Sequence, residues 1–403
     1  MKVAIVGFGV VGSGVAEVLR DNAEAIRRRC GFPLELGYIV DLRCPKGEWA
    51  KYWTTDFGTV LSDPDVGVVA EAIGGLHPAY DFTKAALDSG RHVVTSNKEL
   101  VSALGTELLA AAKAHNVNYF FEASVGGGIP LLQPLARLLG TERITDVAGI
   151  LNGTTNFIMT RMNEDRMSFD DALALAQKNG YAEADPSADI EGHDACRKTA
   201  ILASLLLGRH VSPEDVYTEG ITKLTARDAA AAAAHGLAIK LLGQIRLRGE
   251  EVSAQVTPAL VSEKSPLGVT KDVFNAVQAR GVHLGDAMFY GRGAGKLPTA
   301  NAVVSDLVEA VCAGGHCSFF DWEKGPACVK NAAMEEFIWM LRVPKEDAEP
   351  AAELFGTQTN GKDTDGEAVL FTMKLSAARV YKLRSQAQAR GVEIRSALRV
   401  FEL

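Results

Sequence analysis

The sequence predicts an α/β protein with a doubly wound parallel sheet over about the first 125 residues, followed by α+β segments. Three observations predict this fold class. Short apolar runs alternate with segments of helical periodicity, the first run leads into Gly7-Phe8-Gly9-Val10-Val11-Gly12, and the alternation stops at Gly126-Gly127-Gly128. At roughly 150 residues per domain, a chain of 403 residues has room for two to three domains.

The elements of the first part follow from the spacing of apolar residues. Short, mostly apolar runs predict five strands: Lys2–Val6, Leu34–Val40, Val66–Ala72, His92–Thr95 and Asn118–Glu122. The third run is almost entirely apolar, as expected for a strand buried on both faces. Helical spacing predicts three helices: Val10–Arg20, Pro78–Ser89 and Thr106–His115. We assign residues 1–130 to this first domain.

The middle part, residues 131–300, is predicted to be a second domain of the α+β class. Its predicted helices are one that ends at Leu139, then Ser168–Asn179, Cys196–Leu207 and Ala226–Lys240, with polar segments at Asn152–Asn156 and Gly180–Asp194. Its predicted strands are Asp146–Ile150, Ala254–Leu260 and Asp286–Tyr290. The helix near residues 298–315, predicted over Pro298–Ala313, is expected to return to the first domain.

The last part, residues 335–403, is predicted to be a small separate α+β module. Three strands with helices between them are expected at Phe337–Val343, Glu367–Leu375 and Leu398–Leu403. The stretch Gly356–Gly366 is polar and contains glycine, which is typical of an exposed loop.

Composition and charge exclude several classes of protein. Hydrophobic residues make up 47% and charged residues 23%, so the chain is not disordered as a whole. The net charge of −8 provides no basic field for nucleic acid or an anionic membrane, and no uncharged apolar run is long enough to span a bilayer. The six cysteines lack metal-type spacing, and the glycine-containing start differs from a signal peptide. We therefore expect a cytoplasmic protein.

The run Gly7–Gly12 has the pattern G-x-G-x-x-G between a predicted strand and a predicted helix. Such glycines permit a tight turn, close approach of a pyrophosphate and packing of the helix on the strand, which is typical of a Rossmann-type dinucleotide site. Asp41 ends the second strand, where an acid would bind ribose hydroxyls and favour NAD. Arg43 is either a partner for the 2′-phosphate of NADP or an exposed surface residue, so NADP stays open. The alternative is a glycine turn in an unrelated α/β fold.

An acidic segment before the helix at Cys196–Leu207 is the second candidate site. Five carboxylates lie in it: Glu183, Asp185, Asp189, Glu191 and Asp194. Asp194 and Lys198 are spaced i, i+4, which places them on one face of the helix at its first turn. An ammonium group in a desolvated pocket can serve there as an acid–base group. Spacing alone leaves open a solvated acidic loop with an ordinary ion pair.

The run from Ala176 to Lys198 closely resembles a sequence motif of homoserine dehydrogenases. The resemblance extends from Gly7 to about Gly315, through Ser96-Asn97-Lys98, the triple glycine, Gly149–Phe157 and Gly291–Ala302. It implies the reversible, nicotinamide-dependent interconversion of L-homoserine and L-aspartate 4-semialdehyde in threonine and methionine biosynthesis. It also implies a homodimer or homotetramer that pairs through the middle domain.

The resemblance implies roles for individual residues. Lys198 would be the general acid/base, positioned by Asp194, with Lys98 beside substrate and nicotinamide. Glu183 would bind the substrate ammonium, and the amino-acid site would be lined by Asp189, Tyr181 and Thr154. The cofactor would be held by the glycine motif and by residues elsewhere in the chain: Gly7, Phe8, Gly9, Val10, Val11, Gly12, Asp41, Arg43, Ser96, Lys98 and Gly295.

A structural sodium ion is a further implication of the resemblance. The side chain of Glu122 and the main-chain carbonyls of Val125, Gly127 and Ile129 would hold it. A carboxylate and turn carbonyls are suitable ligands for a hard cation. The alternative is a glycine turn without a metal.

The tail resembles the ACT regulatory modules that many homoserine dehydrogenases carry. The segment Pro344-Lys345-Glu346-Asp347 departs from the Pro-Gly turn that usually opens the effector-binding helix. Threonine binding, oligomerisation and a degenerate module therefore all stay open as roles for the tail.

Two other functions agree with parts of the pattern. In a nucleotide-sensing or amino-acid-sensing regulator, the Gly7–Gly12 loop would bind a ligand without turnover. A proton donor such as Lys198, however, serves no purpose in a sensor. An enzyme of the same fold could also act on a different semialdehyde or amino group, but the detailed match of the acidic segment argues against it.

Overall fold

The structure, a computed structural model, describes residues 1–323, 325, 327–357 and 366–402. The chain forms two compact units, each assembled from segments distant in sequence. The first contains Met1–Ile144, Ala200–Pro213 and Phe289–Cys328, and the second contains Thr145–Thr199, Glu214–Met288 and Val329–Leu403. Most of the predicted loop at 356–366, and the end of the last predicted strand at Leu403, lie outside the described residues.

The strands and helices are numbered along the chain. The strands are β1 Lys2–Val6, β2 Glu35–Val40, β3 Trp53–Thr54, β4 Val66–Glu71, β5 His92–Thr95, β6 Tyr119–Phe120, β7 Ile144–Ile150, β8 Tyr217–Thr218, β9 Leu237–Arg248, β10 Glu251–Ser262, β11 Phe274–Gly281, β12 Gly285–Arg292, β13 Cys328–Val329, β14 Glu336–Pro344, β15 Glu367–Phe371, β16 Leu375–Ser376 and β17 Ser396–Val400. The helices are α1 Val10–Asp21, α2 Ala23–Cys30, α3 Phe57–Ser62, α4 Ala79–Asp88, α5 Lys98–Ala114, α6 Leu132–Leu138, α7 Gly153–Glu164, α8 Phe169–Lys178, α9 Ser187–Ile190, α10 His193–Leu207, α11 Ala226–Ala234, α12 Lys296–Cys312, α13 Ala348–Phe355 and α14 Ala377–Ala389.

The first unit is built on a parallel six-stranded sheet. Its strand order is β3-β2-β1-β4-β5-β6, so the chain order reverses at β1. Val6 at the end of β1 pairs with Val40 on one side and Glu71 on the other, which aligns the carboxyl ends of three strands. Ligands of open α/β sheets bind at this switch point, outside the carboxyl ends of the strands. The predicted doubly wound parallel sheet is confirmed.

In the first unit, a capping hydrogen bond sets the start of α5, and close packing of α12 on α1 restricts the residue at position 14. Helix α5 begins at Lys98, and the prediction of a start at Thr106 was wrong because Asn97 caps the helix by accepting a hydrogen bond from Leu100 N (3.1 Å). Helix α12 packs against α1, where a Cβ on Gly14 would lie 2.9 Å from Ala300 Cβ. This close contact requires glycine at position 14.

The second unit is built on a larger mixed sheet. Its main order is β12-β11-β7-β9-β10-β17-β14-β15, with β8 paired to β10 and β16 to β14. Strands β9 and β10 form a long antiparallel hairpin, in register from Leu237 opposite Ser262 to Arg248 opposite Glu251. The predicted α/β class is thus confirmed, since the chain contains a parallel sheet and a second, mixed sheet.

The predicted helix at Ala226–Lys240 was wrong in its second half. Helix α11 ends at Ala234, and Gly236 adopts a left-handed conformation (φ +70°) before β9 begins. Residues 238–245 are all buried, as in a strand covered on both faces. The apolar residues Ala238, Leu241, Leu242 and Ile245 have the spacing i, i+3, i+4 and i+7 of a helix, so the sequence pattern did not reveal the strand.

The tail has the chain order β14-α13-β15-β16-α14-β17. It carries an apolar core of its own, made by residues of these strands and helices that include Trp339, Leu341, Phe355 and Leu383. Strand β17 nevertheless pairs in parallel with β10, so the tail strands continue the large sheet of the second unit. Among the helices of the described residues, none is long and apolar enough to cross a membrane.

Candidate active site

The glycine motif forms a tight turn between β1 and α1. Gly7 has φ +93°, and a Cβ there would lie 2.8 Å from the main chain of Ala72. A Cβ on Gly12 would lie 1.9 Å from the Gly7 carbonyl oxygen, so glycine is required for the helix to pack on the strand. Gly9 caps α1 without a side-chain hydrogen bond and has open space beside it. The first turn of α1 therefore directs main-chain N–H groups outward, as a pyrophosphate site requires.

The remaining residues of this predicted site lie around the turn. Asp41 accepts hydrogen bonds from Phe8 N (2.7 Å) and Arg43 N (2.9 Å), which places its carboxylate directly beside the glycine motif. The Arg43 side chain is exposed. Val10 is 67% exposed at the start of α1, and Val11 is half-buried. This arrangement suits a carboxylate that binds the ribose of a dinucleotide.

A buried network fixes the segment Ser96-Asn97-Lys98 after β5. Glu71, at the end of β4, is 1% exposed and accepts a 2.5 Å hydrogen bond from Thr95 Oγ1. The same hydroxyl accepts a bond from Asn97 N (2.8 Å), and Asn97 caps α5. Ser96 and Lys98 are half-buried at the carboxyl end of the sheet, where the structure also places the glycine motif. Glu71 and Thr95 were not singled out from the sequence, because neither lies in a recognisable motif.

The second glycine-rich loop, residues 291–295, lies against the triple glycine. Gly128 N donates a hydrogen bond to the Arg292 carbonyl (3.2 Å), and a Cβ on Gly127 would lie 2.1 Å from the Gly293 carbonyl oxygen. Gly295, with φ +127°, precedes α12 as its N-terminal cap. The structure therefore brings together two loops that the sequence separates widely.

Glu122 is buried under the triple glycine. Its carboxylate accepts hydrogen bonds from three successive main-chain N–H groups at the start of α6, those of Leu131 (2.6 Å), Leu132 (2.7 Å) and Gln133 (2.7 Å). Burial raises the pKa of Glu122, and these three N–H groups oppose that rise. Of the predicted carbonyl donors, Val125 and Ile129 are buried and Gly127 has φ +58°.

Asp194 and Lys198, predicted to share one face of α10, form an ion pair in the second unit. Lys198 Nζ donates hydrogen bonds to Asp194 Oδ2 (2.8 Å) and to the Leu151 carbonyl oxygen (2.8 Å). Lys198 is 9% exposed and Asp194 is 7% exposed. The interpretation as a solvated acidic loop with an ordinary surface ion pair is therefore wrong for these two residues, because their charges are paired away from bulk water.

Asn152 joins the two acids of this site. Its side-chain NH2 donates to Asp189 Oδ1 (2.7 Å) and to Asp194 Oδ2 (2.9 Å). Its side-chain oxygen accepts from Thr155 N (2.8 Å) and so caps α7. The predicted polar turn at residues 152–156 is thus the first turn of a helix. An Asn directly after a strand and before Gly-Thr-Thr was the signal that could have identified it.

Asp189 has an unusual environment for a carboxylate. Burial raises its pKa, the hydrogen bond from Asn152 opposes this rise, and the neighbouring charge of Asp194 adds to it. The Lys198 ammonium acts in the opposite direction to Asp194. Two acids and one ammonium therefore share a single hydrogen-bonded cluster, which we call the Lys198 cluster: Asn152, Asp189, Asp194 and Lys198.

The other predicted substrate residues lie on the segment that leads into this cluster. Thr154 Oγ1 donates to the Tyr181 carbonyl (2.6 Å), and the Tyr181 ring, 44% exposed, lies 4.9 Å from the Phe157 ring. Glu183 is exposed, and its main-chain carbonyl accepts from Gln177 Nε2 (3.1 Å). The structure joins Thr154 to Tyr181, and it leaves the Glu183 side chain at the surface.

These features define a class of protein. A parallel sheet in this strand order, with a glycine turn at the switch point and a carboxylate at the end of β2, is the fold of dinucleotide-dependent α/β oxidoreductases. A buried lysine paired with an acid is suited to the proton transfer that such chemistry requires.

Comparison with known proteins identifies the family. The model for the homoserine dehydrogenase NAD-binding domain matches residues 7–122, and the homoserine dehydrogenase model matches residues 130–308. The homoserine dehydrogenase of Bacillus subtilis is 41% identical over 316 residues, which cover 76% of this chain and 72% of that protein. The Synechocystis enzyme is 42% identical over 321 residues, covering 77% and 73%. The chain belongs to the homoserine dehydrogenase family.

Solved structures agree with this assignment. A homoserine dehydrogenase from Thiobacillus denitrificans has a TM-score of 0.92 at 34% identity, covering 100% of this chain and 98% of that one. A hyperthermophilic archaeal homoserine dehydrogenase mutant in complex with NADPH has a TM-score of 0.67 at 27% identity, covering 77% and 98%. The chain is thus an oxidoreductase of amino-acid biosynthesis that acts on a CH–OH group with a nicotinamide cofactor, and the resemblance stated from sequence is confirmed.

Proposed function

We propose that the chain catalyses the reversible interconversion of L-homoserine and L-aspartate 4-semialdehyde, on the route to threonine and methionine, with Lys198 as general acid/base. The observation that carries this proposal is the buried pair of Lys198 and Asp194, with their charged atoms 2.8 Å apart. The pair lies in a chain whose first unit has a dinucleotide-binding fold.

Lys198 would move the proton that accompanies hydride transfer. An ammonium group has three N–H donors, of which Asp194 and Leu151 accept two, and the third is the one that would meet the substrate oxygen. In the reductive direction, negative charge develops on the aldehyde oxygen, and Lys198 would stabilise and then protonate it. In the oxidative direction the neutral amine would accept the hydroxyl proton. Asp194 would position the amine, and Lys98 would supply a second positive charge.

The residues of the first unit would hold the nicotinamide cofactor, which supplies the hydride donor or acceptor when bound. The N–H groups at the start of α1 would bind the pyrophosphate, and Asp41 would bind the ribose of NAD. The exposed side chain of Arg43 beside Asp41 would favour NADP instead. We favour NAD because the Asp41 carboxylate already faces the turn. Ser96, Lys98 and Gly295 complete the proposed cofactor site.

Recognition of the amino acid would rest on the segment around residues 154–189. Glu183 would bind the substrate ammonium, and its exposed carboxylate is open to a ligand. Asp189, Tyr181 and Thr154 would line the same site. The hydrogen bond between Thr154 and the Tyr181 carbonyl supports this, because it holds the two residues together at the start of α7.

A sodium ion at the triple glycine is part of the proposal. Glu122 would contribute its carboxylate, and Val125, Gly127 and Ile129 would contribute main-chain carbonyls. Glu122 Oε1 accepts two of the three N–H bonds and Oε2 accepts one. Oε2 therefore has room to bind a hard cation. Its role would be structural, tying α6 to the turn.

The tail and the assembly state complete the proposal. The β-α-β-β-α-β chain order and the separate apolar core of residues 335–403 support an ACT-like module. We propose domains at 1–130, 131–300 and 335–403, with the helix near 298–315 in the first of them. Pairing through the middle domain would give a homodimer or homotetramer.

A spectrophotometric assay tests the proposed reaction. The purified chain is mixed with L-homoserine and either NAD or NADP, with and without added sodium, and absorbance of the reduced nicotinamide is followed. Reduction that depends on L-homoserine supports the enzyme, and a higher rate with sodium supports the metal site. Tight cofactor binding without turnover would favour the sensor hypothesis instead.

A further inference from the structure

Two cysteines of the first unit meet at the ends of two helices. Cys30 is the last residue of α2 and Cys312 is the last residue of α12, and their Sγ atoms are 3.8 Å apart. Both thiols are free, Cys30 half-buried and Cys312 exposed. A disulfide bond is about 2 Å long, so the two Sγ atoms need to move together by less than about 2 Å to form one.

We propose that Cys30 and Cys312 are a redox modification site, which low-molecular-weight disulfides convert reversibly into an intramolecular disulfide. This inference is independent of the proposed reaction, because neither cysteine belongs to the cofactor site or to the Lys198 cluster.

The chemistry is ordinary thiol–disulfide exchange with oxidised glutathione as the oxidant. The Cys312 thiolate attacks one sulfur of the glutathione disulfide, whose S–S bond breaks and releases one glutathione thiolate. The Cys30 thiolate then attacks Sγ of Cys312 in the mixed disulfide and releases the second glutathione. The two protein thiols are oxidised, one glutathione disulfide is reduced to two thiols, and the two cysteine protons end on the released glutathione.

The surroundings decide which cysteine reacts first. Burial and the neighbouring Cys312 thiol raise the pKa of Cys30 to about 11, and the charge of Arg29 opposes this rise. The exposed Cys312 is therefore the attacking thiol, and Cys30 is the resolving one. Arg27, Arg28 and Arg29 form the last turn of α2. Arg27 pairs with Glu24 (3.0 Å), so it is the positive charge of Arg28 and Arg29 that attracts the carboxylates of oxidised glutathione to this end of the helix.

The disulfide would close a very long loop. Cys30 and Cys312 are 282 positions apart, and the segment Phe289–Cys328 joins the first unit from far along the chain. Contacts such as the ion pair of Lys296 with Glu17 (2.7 Å) hold this segment to α1. A covalent link over so long a loop lowers the entropy of the unfolded chain, so oxidation should stabilise the first unit.

The test is oxidation of the full chain by oxidised glutathione, followed by peptide mapping without reductant and by thermal unfolding. A peptide that links Cys30 to Cys312 is expected, with a rise in the unfolding temperature of at least about 3 °C. Treatment with dithiothreitol should reverse both changes.

Matched variants separate this site from other thiols. Cys30→Ser and Cys312→Ser should lose both the linked peptide and the temperature rise, whereas Cys44→Ser, an exposed cysteine of the same unit, should keep both. Glutathione that persists on Cys312 of the wild-type chain would overturn the disulfide. A linked peptide without a temperature rise, or an equal rise in Cys30→Ser, would overturn the stabilising role.

Discussion

Replacement of Lys198 by methionine separates a chemical role from a structural one. Methionine has a similar length and volume but no charge, so Lys198→Met removes the proton donor and leaves the packing of α10 nearly unchanged. The loss of a positioned acid–base group should lower kcat by about 10²–10⁴-fold. Binding of the nicotinamide cofactor should persist, because the proposed pyrophosphate and ribose contacts come from other residues.

The same change should also lower stability by a calculable amount. Side chains of Lys198 and Asp194 are 11% and 10% exposed, so the substitution leaves a buried carboxylate without its cation. Breaking such a pair costs about 3–5 kcal/mol, and the remaining hydrogen bond from Asn152 Nδ2 (2.9 Å) places the cost at about 3 kcal/mol. At 2–4 °C per kcal/mol, the unfolding temperature should fall by roughly 6–12 °C.

A second variant distinguishes the two effects. In Asp194→Asn/Lys198→Met both charges are absent, so most of the lost stability should return while turnover stays low. Lys264→Met, an exposed lysine of the same unit, serves as the control and should change neither quantity. The assays are homoserine-dependent nicotinamide reduction and thermal unfolding. Near wild-type turnover in Lys198→Met, or recovery of turnover in the double variant, would refute the acid–base role.

Three further predictions follow from the site. Glu183→Gln should raise the KM for homoserine by about tenfold with little change in kcat. Glu191 is an exposed acid of the same segment, so Glu191→Gln serves as the control and should leave KM unchanged. Equal effects in the two variants would count against the binding of the substrate ammonium by Glu183. Gly12→Ala should lower the free energy of unfolding by at least about 2 kcal/mol, because its Cβ would lie 1.9 Å from a carbonyl oxygen. Gly9→Ala should instead keep the fold and weaken cofactor binding. Denaturant unfolding and cofactor titration measure the two effects, and a normal unfolding curve for Gly12→Ala would contradict the prediction. Burial raises the pKa of Asp189 in the folded chain, so ionisation of this carboxyl disfavours folding. The free energy of unfolding of the wild type, relative to that of Asp189→Asn, should therefore fall as pH rises from about 4 to 7. If this difference in free energy stayed constant or grew with pH, the pKa of Asp189 would not be raised.

Local spacing was sufficient to predict much of this molecule. Five of the six strands of the first sheet were predicted because each is a short apolar run bounded by turns, and β1 and β5 have the predicted limits. The two-residue strand β3 was missed because it is too short to show a period. The glycine motif was recognisable because its requirement for small residues arises within a few positions. The contact of Asp194 with Lys198 was predictable for the same reason, since residues four apart on a helix are neighbours.

Contacts between distant parts of the chain decided the rest. Asn152 contacts Asp194, and the Leu151 carbonyl contacts Lys198, only because the end of β7 lies beside the start of α10, and no local pattern encodes that placement. Strand β17 pairs with β10, and the Cys30 and Cys312 thiols meet, across more than a hundred intervening residues in each case. Sequence periodicity reports which side of an element is apolar, but the partner of that side is chosen by the packing of the whole sheet. The residue types of the proposed active site were therefore evident from the sequence, and their hydrogen-bonded arrangement was set by the tertiary structure.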